Sequence, residues 1–306
     1  MKLLKSSSKF AALFLFCYYS IYFLLFKISF QNKLLIENIQ EKVVLEKDVI
    51  GKSLAEFDRT QNYDLIFLGS SHCYRCFDPS VFQKYGLNTY NLGSSSQTPI
   101  NSFSILNSVI KNTKAVLLEV YPVVSGLSGE ESFLSMNASV DDYSLLLNNV
   151  WHLNDLRCYN ALSFKPFIDS HNKKQSYNIT KSYRGYVSRK DTVKPGTNYD
   201  NIIINQDYFT IQISYIKKII YLCEVNKVKL AFVYAPVPPE LKIDGENIFI
   251  NMLNEIAAQK NIPFYDFGRD HHLKSKEHFF DDDHLNQAGV ELFNIELLKT
   301  MKDSIN

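Results

Sequence analysis

The sequence predicts an α/β fold with a central parallel five-stranded sheet, covered by helices on both faces and preceded by one transmembrane helix. Five short runs have the character of strands, and those at 64–68 and 115–120 read as strands buried on both faces, which lack the alternation of a half-exposed strand. Segments with apolar residues at helical spacing separate them, which implies right-handed crossovers and therefore a parallel sheet. The predicted strands are residues 64–68, 88–92, 115–120, 229–234 and 263–267, and the clearest helices are 99–111, 207–225, 247–260 and 285–301.

A long uncharged apolar segment lies near the start of the chain. Residues 10–26, FAALFLFCYYSIYFLLF, are bounded by Lys9 and Lys27, and with residues 28–30 they reach the ~20 residues that a spanning helix requires. We interpret the segment as a transmembrane anchor. A cleaved signal peptide is the alternative, although no A-x-A-like cleavage site follows the segment.

The charges around this segment predict its orientation. Residues 1–9 are basic and form the expected cytoplasmic tail, with residues 10–30 as the anchor. By the positive-inside rule the domain then lies outside the cytoplasm, on the periplasmic or outer face of the cell membrane. The basic residues concerned are Lys2, Lys5 and Lys9.

The remaining chain divides into a short connection and one large domain. Residues 31–60 are a stalk or a packed first helix, and residues 61–306 form the domain. An insertion at 125–200 interrupts the rhythm of strands and helices, as a lid or binding surface would. Its aromatic residues could stack on a glycan, although the tryptophan could instead fill a core. Its basic face is either a binding surface or simply solvated. These aromatic residues are Trp151, Tyr183 and Tyr186.

Composition excludes one class of partner. The chain has 33 basic and 32 acidic residues, a net charge of +1, so it is not a general nucleic-acid binder that relies on neutralising phosphates. No cofactor is expected.

The first predicted strand ends abruptly at Gly69-Ser70-Ser71-His72, and Asp78 and Pro79 then begin a helix. In an open α/β sheet the ligand binds outside the carboxyl ends of the strands, so a hydroxyl on this turn faces the expected crevice. Ser71 is therefore the candidate nucleophile. The alternative is an ordinary flexible turn, since Gly and Ser are common in turns.

A second segment far along the chain supplies the groups that a serine nucleophile needs. FFDDDHLNQAG, residues 279–289, contains His284 and, three residues earlier, Asp281. A serine hydroxyl needs a neighbouring base, and the base needs a third group to fix its tautomer. We expect Asp281 to take that third role and Asp282 or Asp283 to cap the following helix, with Asp282 as a possible substitute. A metal site is a weaker alternative, because consecutive residues point in different directions.

Other residues near the expected crevice have more than one interpretation. Gly93, after the second strand, lets backbone N–H groups approach a ligand as an oxyanion donor must, or it lies in an ordinary loop. Glu119 either lines the site or, as we favour, meets a basic side chain. Cys73 and Cys76 have the C-x-x-C spacing, but no second ligand pair for zinc is present, so they are a disulfide or two thiols.

These segments resemble the SGNH or GDSL hydrolases, in particular their membrane-anchored, envelope-facing branch, which includes alginate O-acetylation proteins and the D-alanyl-lipoteichoic acid protein DltD. The matching segments are FLGSSHCYRCFDP at 67–79, YNLGSSSQTP at 90–99, LLEVYP at 117–122 and FFDDDHLNQAG at 279–289. Together with the rhythm of elements, the resemblance implies a flavodoxin-like three-layer sandwich with strand order 2-1-3-4-5.

Carried over to this sequence, the resemblance makes Ser71 the nucleophile, Gly93 an oxyanion donor, His284 the base and Asp281 its partner. The chain departs from the family pattern in two places. Ser70 replaces the usual acidic residue before the serine, and the asparagine that often completes the oxyanion hole has no counterpart near residues 119–122. The residues beside the turn that we expect to contribute to oxyanion or substrate binding are Ser70, His72 and Arg75.

The sequence thus predicts a membrane-anchored, extracytoplasmic serine esterase or O-acyltransferase that acts on a cell-envelope or secreted polysaccharide. Its expected partners are the ester substrate, the lipid bilayer and a multi-span membrane O-acyltransferase. The alternative is a non-catalytic protein of the same fold that binds glycan or docks such an acyltransferase. The polysaccharide and the acyltransferase are implied by the family resemblance and not by residue spacing.

Overall fold

The computed structural model describes residues 2–30, 33–35, 49–166, 182–193 and 201–305. The amino-terminal elements are helix α1 (Lys2–Leu25), strands β1 (Ser29–Phe30) and β2 (Lys33–Leu34), which pair with each other, and helix α2 (Val49–Glu56). Within α1, residues Ser7–Leu25 are long and apolar enough to cross a membrane, with a mean hydropathy of 1.5. Such a helix is either a membrane anchor or a signal sequence.

The strands of the domain are β3 (Leu65–Leu68), β4 (Thr89–Asn91), β5 (Ala115–Glu119), β6 (Asn201–Ile203), β7 (Lys229–Tyr234), β8 (Lys242–Asp244) and β9 (Phe264–Asp266). Its helices are α3 (Ser71–Cys76), α4 (Pro79–Lys84), α5 (Pro99–Val109), α6 (Glu130–Ser139), α7 (Tyr143–Leu153), α8 (Leu156–Ser163), α9 (Gln206–Asn226), α10 (Glu246–Lys260), α11 (Ser275–His278) and α12 (Gln287–Ile305). Short 3₁₀ turns occupy Ile110–Asn112 and Pro122–Gly126.

The central sheet has five strands in the order β4-β3-β5-β7-β9, and every neighbouring pair is parallel. Numbered along the chain, that order is 2-1-3-4-5, so the predicted flavodoxin-like topology is confirmed. The sequence did not predict the parallel pairing of β6 with β8, which forms a small separate sheet.

Strand β3 shows why its sequence is a continuous apolar run. All four of its residues are buried. Ile66 and Leu68 belong to the larger core cluster, which includes residues of α5, α9 and α10. Leu65 and Phe67 belong to the second cluster, with residues of α4 and α12. Side chains alternate between the two faces of a strand, so a strand covered on both faces must be apolar at every position.

The predicted stalk is partly a packed helix. Ile50 and Leu54 of α2 are buried in the larger core cluster, and Gly51 lies so close to α6 that a Cβ there would be 2.1 Å from Cβ of Ser139. Residues 31, 32 and 36–48 of the predicted stalk lie outside the described residues.

The described part of the insertion contains α6, α7 and α8 and a segment, 182–193, that returns along the edge of the sheet. There the Arg184 carbonyl accepts from the Asn91 N–H of β4. Trp151 is 73% exposed, so it does not fill a core, whereas Tyr186 is buried and unavailable for stacking on a glycan. Tyr183 is partly exposed. The rest of the predicted basic face, 167–181 and 194–200, lies outside the described residues.

Candidate active site

The turn after β3 depends on a glycine. Gly69 has φ +147, a conformation that side chains disfavour, and a Cβ there would be 2.6 Å from Cβ of Glu119. Ser70 then caps α3, and its Oγ accepts a hydrogen bond from the His72 N–H. Ser71 is the first residue of α3, where helix geometry leaves the N–H without an intrahelical acceptor.

The structure brings Ser71 and His284 together across 213 residues of sequence. Oγ of Ser71 lies 2.8 Å from Nε2 of His284, within hydrogen-bond distance. His284 lies in the loop between α11 and α12, and the carboxylate of Asp281 shapes that loop by accepting from the His284 N–H at 2.7 Å. The loop therefore turns the imidazole toward the turn after β3.

Two carboxylates approach the other ring nitrogen of His284. Both oxygens of Asp281 lie 3.1 Å from Nδ1, and Oδ1 of Asp283 lies 2.5 Å from it. Burial alone would lower the pKa of His284, but hydrogen bonds and charge from the two carboxylates raise it to about 9. The arrangement favours the imidazolium form and fixes the ring with Nε2 toward Ser71.

The position of Asp283 differs from the sequence prediction. The helix after the acidic residues begins at Gln287, two residues later than predicted, so neither Asp282 nor Asp283 is one of its first residues. It is Asp283, and not Asp282, that contacts His284. Burial opposes the ionisation of Asp283, but the hydrogen bond and charge of His284 keep the pKa of this carboxyl well below its usual range.

His72 lies beneath His284 and is fully buried. Its ring stacks on that of His284 with the centroids 4.7 Å apart, and it lies tilted against the ring of Tyr121 at 3.9 Å. Its Nε2 lies 2.9 Å from the Asp283 carbonyl. Burial, with the nearby charge of His284, lowers the pKa of His72 to about 4, so the ring is neutral near pH 7. We predicted that His72 contributes to substrate binding. The structure instead buries its ring, which packs against His284 and supports it.

Glu119 at the end of β5 contacts Ser70 and not the basic side chain that we expected. Its Oε2 accepts from the Ser70 N–H at 2.9 Å and from Ser70 Oγ at 2.8 Å. Burial raises the pKa of Glu119 to about 7. An acidic group therefore does lie beside the turn, but it comes from the neighbouring strand.

Gly93 lies close to the turn, but its N–H already has a partner. It donates to Oδ1 of Asn91 at 3.0 Å, and a Cβ at Gly93 would be 2.8 Å from Cβ of Cys73. Sequence reasoning missed Asn91, whose Nδ2 also donates to the carbonyls of Cys73 and Phe77. An oxyanion at this position would have to compete with the Asn91 side chain for the Gly93 N–H.

Arg75 lies between two aromatic rings at the edge of the site. Its guanidinium is 5.0 Å from the ring centroids of both Tyr74 and Phe280, and Phe280 stacks on His284 at 5.5 Å. Nη1 of Arg75 is buried and has no hydrogen-bond partner among the described residues. No ion pair of the described residues includes Arg75, so the predicted alternative of a salt bridge is not observed.

Cys73 and Cys76 are free thiols, both buried. Burial, followed by the charge of Glu119, raises the pKa of each thiol well above its usual value. Of the two predicted alternatives, the structure has the pair of thiols and not the disulfide.

Two groups of side chains at the site have the residue types of metal ligands. The potential ligand atoms of His72, Asp283 and His284 lie within 4.8 Å of one another, and those of residues 281–283 do likewise. The first set is already engaged in the contacts of the two imidazoles described above, which serve to orient His284.

No protein-family model and no curated protein sequence matches the chain. Among solved structures, a GDSL-like lipase from Bacteroides thetaiotaomicron is 12% identical, with a TM-score of 0.42 over 83% of this chain and 94% of that one. A Bacteroides fragilis protein provisionally described as an acylhydrolase is 12% identical, with a TM-score of 0.45 over 85% and 100% of the two chains. At these low identities and TM-scores, activity has to be inferred from the site geometry and the sequence motifs.

Proposed function

We propose that the protein is a membrane-anchored, extracytoplasmic serine esterase or O-acyltransferase that acts on a cell-envelope or secreted polysaccharide. The observation that carries this proposal is the 2.8 Å contact between Ser71 Oγ and His284 Nε2, with carboxylates on the opposite ring nitrogen. A nucleophile, a base and a group that orients the base are the three parts that serine acyl transfer requires.

In this mechanism Nε2 of neutral His284 takes the proton of Ser71 as Oγ attacks the ester carbonyl carbon. The charge that develops on the carbonyl oxygen is stabilised by the Ser71 N–H at the start of α3 and by the Gly93 N–H once it is released from Asn91. Collapse of the tetrahedral intermediate expels the alcohol, which takes the proton from His284, and leaves an acyl group on Ser71.

The second half of the reaction repeats these steps with a new acceptor. His284 deprotonates either water, which gives hydrolysis, or a sugar hydroxyl, which gives transfer. The family resemblance supports a polysaccharide acceptor. The apolar helix α1, preceded by basic residues, supports anchoring with the domain outside the cytoplasm.

The test uses the full-length protein in lipid nanodiscs and a small acetyl ester. We expect the parent to hydrolyse the ester and to be labelled by a serine-directed phosphonate, and Ser71→Ala and His284→Ala to lose both properties. Ser214→Ala, which removes a hydroxyl that donates to the Ile211 carbonyl within α9, is the matched control and keeps the parent activity. A folded parent that neither hydrolyses the ester nor reacts with the phosphonate contradicts the proposal.

One observation favours a second candidate, a non-catalytic partner that binds glycan or docks a multi-span membrane acyltransferase. The Gly93 N–H is bonded to Asn91 Oδ1, and the family's oxyanion asparagine has no clear counterpart near residues 119–122. This candidate predicts glycan or acyltransferase binding that is unchanged in Ser71→Ala. The esterase predicts instead that polysaccharide deacylation or acylation is lost in the same variant.

A further inference from the structure

Helix α7 is apolar on the side that faces away from the domain. Tyr143, Leu147 and Trp151 follow one another at intervals of four residues and are 46%, 57% and 73% exposed. Four residues are close to one helical turn, so these side chains form one stripe. The opposite side of α7 faces the domain, where Leu145 and Asn149 are buried. A row of exposed large apolar side chains on a helix that is already packed marks an interaction surface.

Helix α8 continues this surface and packs against α1. Leu156, at the start of α8, is 66% exposed. In the middle of α8, Asn160 Oδ1 accepts from the Tyr18 hydroxyl at 2.9 Å. Directly after α8, the ring of Phe164 stacks on those of Tyr22 and Phe26 at 5.4 and 5.2 Å. The apolar surface and the apolar amino-terminal helix are therefore joined.

The contacts of Asn160 and Phe164 fix the level of this part of the chain along α1. Phe164 is level with Tyr22 and Phe26, and Asn160, one turn earlier, is level with Tyr18, so the two helices run in the same direction. Tyr18, Tyr22 and Phe26 belong to the half of the apolar segment 10–26 that is nearer the domain.

We infer that the α7–α8 hairpin lies in the interface of the same bilayer that α1 crosses, with Leu147, Trp151 and Leu156 among the lipid acyl chains. The inference rests on the proposed membrane anchoring. If α1 spans a membrane, the surface beside Tyr18, Tyr22 and Phe26 lies at the level of the leaflet nearer the domain. Trp and Tyr are the residues enriched at membrane interfaces, because their rings combine an apolar body with a polar group. A helix whose apolar stripe lies parallel to the lipid surface binds through that stripe.

Trp151 can serve as an intrinsic fluorescence probe, because it is the single tryptophan of the chain. The full-length protein is reconstituted into phosphatidylcholine vesicles whose acyl chains carry bromine at a shallow or a deep position. We expect bromine to quench the emission of Trp151, with shallow bromine quenching more strongly than deep bromine. Emission in bromine-free vesicles is expected at shorter wavelength than for a solvated indole.

Two variants test the surface itself. Leu147→Ser combined with Leu156→Ser keeps the tryptophan but removes two apolar anchors, so we expect weaker quenching and a shift to longer wavelength. Tyr221→Ser, at a side chain of α9 that is 67% exposed and outside the hairpin, is the matched control and leaves both unchanged. Neither substitution touches Ser71 or His284, so hydrolysis of a small ester stays at the parent level.

The outcomes separate this inference from the proposals on which it builds. Protein that alkaline carbonate removes from the vesicles overturns both the anchoring and the inference. Protein that stays in the vesicles with Trp151 unquenched overturns the inference alone, and the stripe then belongs to a protein partner. Quenching in a parent that lacks esterase activity supports the inference and contradicts only the catalytic proposal.

Discussion

The carboxylate of Asp283 lies 2.5 Å from Nδ1 of His284, nearer than the carboxylate of Asp281, whose oxygens are 3.1 Å away. The imidazole therefore has two candidate acidic partners from one short loop. Asp281 also accepts from the backbone N–H groups of Asp283 and His284, so it holds the loop as well as the ring.

We predict that the two carboxylates share the orientation of His284. Asp281→Asn or Asp283→Asn alone lowers kcat for a small ester by roughly tenfold, because the remaining carboxylate still favours the correct tautomer. The double variant approaches a loss of about 10⁴-fold, the order seen when a triad loses its acid. Asp282→Asn is the control and changes kcat little. If Asp281→Asn alone is as inactive as the double variant, Asp283 does not share the role.

The pH dependence of catalysis follows from the raised pKa of His284. Only the neutral imidazole can take the proton of Ser71, so kcat/KM is expected to rise with pH through a midpoint near 9. Asp283→Asn removes one source of the shift, and we expect the midpoint to move down by about one pH unit. The check is kcat/KM against pH with an ester that has no titratable group. A parent midpoint near the usual histidine value of 6.5 would contradict the predicted shift.

Glu119 predicts a separate pH dependence of folding stability. Its folded pKa of about 7 is above its ordinary 4.5, because burial penalises the charged form. Protonated Glu119 therefore leaves the free energy of unfolding at its full value below pH 4.5. That free energy falls by at most about 3 kcal/mol as the pH rises through about 7 and the buried carboxyl ionises. Urea unfolding of the detergent-solubilised protein across this range measures the change. Glu119→Gln should flatten the profile, whereas Glu224→Gln, at an exposed carboxyl, should leave it unchanged. An equally steep profile in Glu119→Gln assigns the dependence to other groups.

The fold was predictable because its signals are local and repeated. The apolar run of β3 is buried at all four positions, as a strand covered on both faces requires. The turn at Gly69 and the capped helix after Asp78 also follow from a few adjacent residues. In contrast, the pairing of β6 with β8 joins residues far apart in the chain, and no local pattern indicates it.

The candidate site was predictable in part, because a serine, a histidine and a carboxylate are residue types that act together as nucleophile, base and orienting acid. Ser71, His284 and Asp281 lie together as the sequence suggested, but the contact of Asp283 depends on how one carboxylate bends the loop, which composition does not reveal. The partner of Glu119 is set by the register of β3 against β5. The Gly93 N–H is taken by a side chain two residues earlier, a geometry that Asn favours but that a glycine-serine motif does not predict.

Arg75 offers the last prediction, which concerns the charge of the substrate. Its guanidinium lies against Phe280, which stacks on His284, and its Nη1 has no hydrogen-bond partner among the described residues. A buried guanidinium nitrogen without an acceptor is stabilised by a ligand carboxylate or phosphate. We therefore predict that Arg75→Gln raises KM for an acetylated acidic saccharide by about 10–100-fold, the equivalent of the ~1.5–3 kcal/mol of one charged hydrogen bond.

The same variant should leave catalysis of a neutral acetylated saccharide almost unchanged, because Arg75 does not contact Ser71 Oγ or the His284 ring nitrogens in the described contacts. Arg59→Gln is the matched control, since Arg59 is bound to Asp142 on the surface. Measuring kcat and KM for the acidic and neutral substrates separates charge recognition from damage to the site. An equal loss of kcat with both substrates would mean that Arg75 supports the Phe280 and His284 stack and does not select the substrate's charge.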